Sequence, residues 1–445
     1  MYKRILIYFV ILFFSISLKA QEKLTLNEVD KKTYSLWITG KWNELIDECN
    51  KSIDNGVDFF YLRLRAGIAY YRKQNYLSAI KHFEKALVYN PSDALTMEYL
   101  YYCYLFSGRE SDMLALVSVM PIKLKKELRV SNKFIYGIYT EGGYVFNSNY
   151  SNQKGKNSNT GNDIYYDQKI INDETYFNIS LKHQLGKNLE IFHGYNNVLV
   201  SGVKRIYEQK QGQKDYDIKS TQHEYYMNAN FNSGKGFNLT AALHYLRVTD
   251  EDVTINYDET IPVIEKTQTR ANDFVALLSI TKYVGHFKFG IKNSFSNLNK
   301  ATQFQNTAEI IFFPLGNLNL YSVTDATFFS NKEWGSEMKH FGIVDQRIGF
   351  KTFDFLWLEA GYTFGDIYNY NENDAFIVLN NTEKISNRVS LNLILPLSRH
   401  FEISLRYQYF KQENIANNYL KIKNKSINIT NNINHKLIGG LKWRF

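Results

Sequence analysis

The sequence predicts a chain in three parts: a signal peptide over residues 1–20, an all-α repeat solenoid over 21–126, and a transmembrane antiparallel β-barrel of about fourteen strands over 127–445. Three observations predict it. A charged start leads into a short apolar run. Apolar and glycine positions then recur with a period of about 34 residues. After Ser131 the period drops to two and stays there to Phe445.

Composition supports this order. A length of 445 residues suits two or three domains, and 44% hydrophobic residues can fill a core. The mean hydropathy of −0.36 is too low for a bundle of membrane helices. The 34 Tyr and 31 Phe, with only 5 Pro, fit a wall that is apolar outside and polar inside. The net charge of +9 is spread along the chain rather than gathered in a block, so no nucleic-acid partner is expected.

The first segment reads as an address. Lys3 and Arg4 precede the apolar run from Ile5 to Phe14, and Ser15, Ser17 and Ala20 follow, with Gln21 after the expected cut. Leu18 stands where a smaller residue is commoner. No cysteine follows the cut, which argues against a lipid-anchored start.

From Glu22 to about Lys126 the pattern is helical. Its clearest unit, 60–93, carries Gly67, Tyr70, Tyr76, Ala79, Phe83, Ala86 and Pro91. Small Gly67 and Ala79 suit a close crossing of two helices. Tyr70, Phe83 and Ala86 face the shared core, and Pro91 ends the second helix. One period back stand Gly40 and Trp42, and one period on from Gln74 stands Gly108. Glycine suits a helix C-cap at that turn. Units at 26–59 and 94–126 therefore flank the middle one, with Leu45 and Met113 in the place of Ala79. These residues and spacings resemble the tetratricopeptide repeat. The resemblance implies a concave surface that binds a protein or peptide; a rigid spacer is the plainer alternative. Cys49 and Cys103 fall in the first and third units, where separation favours two small buried residues over a disulfide. Lys123, Lys125, Lys126 and Arg129 form a basic link that reaches lipid headgroups or simply water.

Beyond Ser131 alternation is plain in 225–231, 287–292, 401–409 and 437–445. Strands are expected from about 133, 173, 188, 221, 237, 270, 286, 300, 317, 338, 355, 384, 400 and 431. Short turns follow the even-numbered strands. Long polar connections, 151–172, 209–220, 250–267, 371–383 and 411–430, follow odd-numbered ones. That asymmetry separates a periplasmic from an outer side and puts both barrel termini in the periplasm. A soluble β-sandwich also alternates, but it does not explain the turn asymmetry. Tyr144, Tyr195, Tyr245, Tyr362, Tyr368, Tyr407 and Trp443 are candidates for the interface girdles in outer-membrane lipid. The final amphipathic strand, with Trp443 and Phe445, resembles the signal read by the barrel insertion machinery.

Residue patterns for chemistry are sparse. The sequence has no phosphate-binding glycine loop, His-Glu-x-x-His or Gly-x-Ser-x-Gly, so no enzyme, cofactor or metal is expected. His183, His193, His244 and His340 lie singly on strands, where one could pair with a serine. The strand phases point Lys182, Lys288, Lys292, Arg388, Arg406, Lys442 and Arg444 into the lumen, with Glu224, Glu359 and Glu402. A cationic excess would favour anionic cargo; a network of ion pairs that fills the barrel is the alternative.

Helical repeats ahead of an outer-membrane barrel resemble two families: the surface lipoprotein assembly modulators, and the polysaccharide export porins with more numerous repeats and larger barrels. The small repeat number favours the first. That resemblance implies a factor for export or surface assembly of proteins, its repeats holding a passenger. A pore for a polysaccharide or small solute, and an anchor recruiting periplasmic proteins, are the other readings.

Overall fold

The computed structural model describes residues 25–155, 165–208, 212–258, 261–333, 335–381, 383–421 and 424–445; the expected signal peptide lies outside them. The chain divides into two compact units, Met1–Cys103 and Tyr104–Phe445.

The first unit is helical. Helices α1 (Leu26–Ile38), α2 (Trp42–Asp54), α3 (Phe60–Arg72) and α4 (Tyr76–Tyr89) lead into α5 (Ala94–Phe106). Local sequence sets their starts. Thr25 and Glu28 form a reciprocal capping box. The Asn75 and Asp93 side chains accept from the backbone N–H of Ser78 and Thr96 at 3.1 and 2.8 Å. Helix starts at 26, 60 and 94 recur every 34 residues, as do those at 42, 76 and 110. The turns recur too: Gly40, Gln74 and Gly108 all adopt left-handed backbone, with φ of 68°, 59° and 73°. Trp42 and Tyr76 open the second helices of their pairs. Gly67 lets α3 meet α4, since a Cβ there would lie 2.5 Å from the Phe83 ring. Leu45, Ala79, Phe83 and Ala86 are fully buried. Tyr70 stacks on His82 with ring centroids 5.3 Å apart. Burial pushes the His82 imidazole down to about 4 and the Cys49 thiol up to about 12. Cys49 and Cys103 are free and buried. Pro91 stands just beyond the end of α4.

The second unit begins with α6 (Glu110–Val119) and α7 (Ile122–Leu128), then the barrel. The sequence places the domain boundary near 126, with these helices among the repeats. By compactness both fall in the unit of the barrel, and polar side chains of α6 bond to barrel strands.

Fourteen antiparallel strands close the barrel: β1 (Ile135–Asn147), β2 (Tyr165–Leu185), β3 (Leu189–Glu208), β4 (Gly212–Gly234), β5 (Phe237–Asp258), β6 (Ile261–Val284), β7 (Phe287–Ser296), β8 (Thr302–Phe312), β9 (Leu320–Lys332), β10 (Lys339–Phe353), β11 (Leu356–Ile367), β14 (Ile385–Pro396), β15 (Phe401–Lys421) and β16 (Asn424–Arg444). A short helix α8 (Tyr150–Gly155) follows β1, and a two-stranded hairpin, β12 (Tyr370–Glu372) and β13 (Ile377–Leu379), interrupts the chain between β11 and β14. The seam is complete: β1 pairs with β16 from Gly137↔Arg444 to Asn147↔Asn434. Closure leaves no free sheet edge along that seam.

Alternation sets the two faces. Ile179, Leu243, Leu278, Ile291, Phe328, Ile348, Phe364 and Leu437 point outward and are exposed. Such a continuous apolar exterior is covered by lipid, not water. Tyr144, Tyr195, Tyr245 and Trp443 are exposed on the same outer face. Tyr368 is not: it lies inside, edge-on to Phe329 and Phe341, because the chain leaves the wall after β11 and turns inward at Asn369 (φ 47°).

The long connections also differ from expectation. β2, β4, β6 and β16 start at 165, 212, 261 and 424, well before the expected starts, so much of each polar connection is paired strand. Above the bilayer both faces of a strand meet water. The apolar alternation fades there while the backbone ladder continues. In this outer region β15 pairs with β2 through Ala416↔Gln168 to Tyr419↔Tyr165, on the edge that β14 occupies lower down.

Candidate functional site: an occluded lumen

Among the described residues, the β12–β13 hairpin and α6 border the central cavities of the barrel. The hairpin comes from the side of the long connections. Its register is locked to the wall by Asn371, whose N–H donates to Gln305 Oε1 at 3.2 Å. Gln305 Nε2 returns a bond to the Asn371 carbonyl at 2.8 Å, and Asn371 Nδ2 reaches Ser294 at 3.0 Å. Asn373, Asp374 and Ala375 at the tip all have left-handed backbone, with φ of 50°, 54° and 64°. This tight turn carries the tip to the far wall. Tyr226 of β4 donates to the Asp374 carbonyl at 2.9 Å, and His244 Nδ1 of β5 lies 2.7 Å from the Ala375 carbonyl. Phe376 packs on Phe192 and Tyr226, each with centroids 5.3 Å away. Charges hold the flanks: Glu372 to Arg388 at 2.5 Å, and Asp374 to Lys292 at 3.5 Å.

On the side of the short turns lies α6. Its first residue, Glu110, meets Lys182 at 3.2 Å, Arg444 at 3.2 Å and Lys442 at 3.7 Å. Burial raises the Glu110 carboxyl, but those three cations outweigh it and hold the group well below the ordinary carboxylate range. Ser111 accepts from Asn230 at 3.0 Å. Asp112 pairs with Arg109 at 2.8 Å and accepts from the Gly236 N–H at 3.2 Å. Gly236 must be glycine there: its φ is 73°, and a Cβ would lie 2.8 Å from Tyr283.

Hairpin and helix leave two cavities. One, of about 450 Å³, is lined by Glu110, Tyr136, Lys182, Tyr226 and Phe376 among others. The second, of about 410 Å³, is lined by Lys292, Arg347, Arg388 and Gln408 among others. Asn373, Asp374 and Ile377 of the hairpin border both, as does Arg406.

The structure sets acidic side chains against the cations that the strand phases point inward. Around the second cavity Lys288, Lys292, Arg347, Arg388 and Arg406 face Glu309, Asp325, Asp345, Glu359, Glu372 and Asp374. Glu309 bridges Lys288 at 3.0 Å and Lys292 at 2.6 Å, while Arg347 joins Asp325 at 2.8 Å and Asp345 at 2.7 Å. Arg406, by contrast, makes no salt bridge or hydrogen bond among the described residues.

Sequence reasoning singled out the cations but not Glu110, Glu309, Asp325, Asp345, Arg347 or the hairpin. The strand acids were open to the same parity argument. The hairpin had its own signal: Phe376-Ile377-Val378-Leu379 is an apolar run in a connection outside the bilayer, and such a run must find a partner. Nothing in the local sequence marks Glu110. The strand histidines divide. His244 is buried and faces Glu224 at 3.0 Å. His183 and His193 meet on the outer face with Nε2 atoms 2.9 Å apart. His340 Nδ1 lies 2.9 Å from Ser330 Oγ, also on the outer face, and among the described residues no further hydrogen bond orients that ring.

No family model matches the sequence, and no curated protein does. Among solved structures, the chain is similar to a Pseudomonas aeruginosa FadL homologue, at 7% identity over 75% of this chain and 92% of that one, with a TM-score of 0.43. It is similar to the P. putida toluene transporter TodX, at 8% identity over 75% and 92%, with a TM-score of 0.43. The translocator domain of the Neisseria meningitidis autotransporter NalP aligns at 10% identity over 77% and 99%, with a TM-score of 0.31. Alignments this loose say nothing of cargo. The chain is a closed fourteen-stranded antiparallel barrel on the strength of its own pairing registers, with a helical segment ahead of it.

Proposed function

We propose that the chain is an outer-membrane pore for small polar solutes, closed at rest by the β12–β13 hairpin, with α6 narrowing the opposite mouth without sealing it. One observation carries this reading: the hairpin tip crosses the lumen to β4 and β5 and leaves two polar cavities of about 450 and 410 Å³. Cavities of that size suit a small molecule. They do not suit a polypeptide or a glycan chain in transit. The closed seam likewise offers no edge on which a passenger protein could pair. The small-solute reading therefore fits better than surface assembly of proteins. The charged and amide side chains of both linings favour a cargo that carries polar groups.

The helices ahead of the barrel we read as tetratricopeptide-type units, from their recurrence every 34 residues and their left-handed turns. In that role they hold a periplasmic protein or peptide, and residues 1–20 serve as the export signal.

The test is conductance of the full chain in planar bilayers, beside a variant with 370–379 replaced by a short Gly-Ser linker. Rare openings in the parent and a steady current in the variant are expected. Equal, negligible currents in both would overturn the pore. Loss of particular proteins from the cell surface on gene deletion, with those currents absent, would restore the export reading.

A further inference from the structure

Nearly every lumen cation described above is committed to a carboxylate; Arg406 is the exception, and its surroundings are unfinished as well. Arg406 sits on β15 directly opposite Asn392 of β14, both pointing inward. It borders both cavities at the level of the hairpin. Asn392 Oδ1 is buried without a hydrogen-bond partner. Around the same second cavity, Asp325 Oδ1 and Arg388 Nε are buried and unpartnered too. Buried polar atoms are nearly always satisfied, and orphans around one cavity mark it as a place where something polar belongs. The orphans are of two kinds. Arg388 Nε needs an acceptor, and the Arg406 guanidinium, open to both cavities, has no carboxylate within salt-bridge distance among the described residues. Asn392 Oδ1 and Asp325 Oδ1 need donors.

We propose that this wall is a binding site for a small hydrophilic acid that carries hydrogen-bond donors, an amino or hydroxy acid. Its carboxylate lies on Arg406, which offers the planar fork that matches it. Its ammonium or hydroxyl groups donate to Asn392. A neutral sugar can serve both sets through its hydroxyls but brings no negative charge to the guanidinium, and a hydrocarbon serves neither. Because Arg406 faces both cavities, it can hold the acid on either side of the hairpin. The site rests on the pore reading: it names the class of solute that pore selects.

The experiment uses the full chain in proteoliposomes. It compares uptake of labelled gluconate with that of labelled glucose, similar in size and differing in the carboxylate. Parent, Arg406→Gln, Arg406→Lys and the hairpin-replaced variant are measured. The parent is expected to take up gluconate faster than glucose. Arg406→Gln should lower that ratio about tenfold, the scale of one lost charge-assisted hydrogen bond. Glucose uptake by the variant above that of protein-free liposomes shows that it is folded. Arg406→Lys should fall between. A ratio indifferent to both substitutions, with both solutes entering, overturns the site and leaves the pore standing. If neither solute enters even the hairpin-replaced variant, the pore reading fails and the site with it.

Discussion

Glu110 shows how one side chain fixes a helix to a wall of strands. Three cations from β2 and β16 surround it, and without its charge they repel one another. Since its folded pKa lies below its unfolded one, the stabilisation is full at neutral pH. It is lost as pH falls through the depressed value, below the ordinary carboxylate range. Glu110→Gln should remove that contribution at pH 7. Protection of α6 backbone amides from hydrogen exchange should drop by roughly 2 kcal/mol. The parent should approach the variant only in strong acid. Equal protection in both proteins at pH 7 would mean that Ser111 and Asp112 hold the helix without it. At this scale the sequence was half legible. Parity along a strand points Lys182, Lys442 and Arg444 inward. No local pattern says that a glutamate over 70 residues away completes them.

Among the elements, those whose residues pack on near neighbours were easiest to read. The 34-residue period marks α3 and α4 because Gly67 and Phe83 meet across a single turn. Gly67→Val places a carbon 2.5 Å from the Phe83 ring and should lower the stability of the helical unit by roughly 1–3 kcal/mol, seen in thermal unfolding of the full chain followed by helical circular dichroism. An unchanged transition would mean that α3 and α4 slide apart freely. The β12–β13 hairpin was the least legible element. Its partners, Gln305, Ser294, Tyr226 and His244, lie on four different strands. Read alone, 371–383 is a polar connection with an apolar patch. Tyr368 illustrates the same limit: alternation continued from β11 assigns it outward, and only the inward turn at Asn369 reverses it.

For the whole molecule, orientation follows from which turns are short. Cysteines placed at Lys214 or Asp217, near the start of β4, should react with a membrane-impermeant maleimide on intact cells. One at Ser398, in the short turn between β14 and β15, should not. The native thiols are buried and add little background. Labelling at Ser398 with none at 214 would turn the barrel over. The barrel wall is also of unequal height. β2 to β6 run 20 to 24 residues, whereas β7 and β8 run only 10 and 11. A span needs about ten, so the longer strands stand some 30 Å clear of the bilayer along their length. The barrel mouth therefore sits behind a crescent-shaped parapet with a low sill above β7 and β8. In the pore proposed above, solute from the medium comes in over that sill, obliquely rather than down the axis.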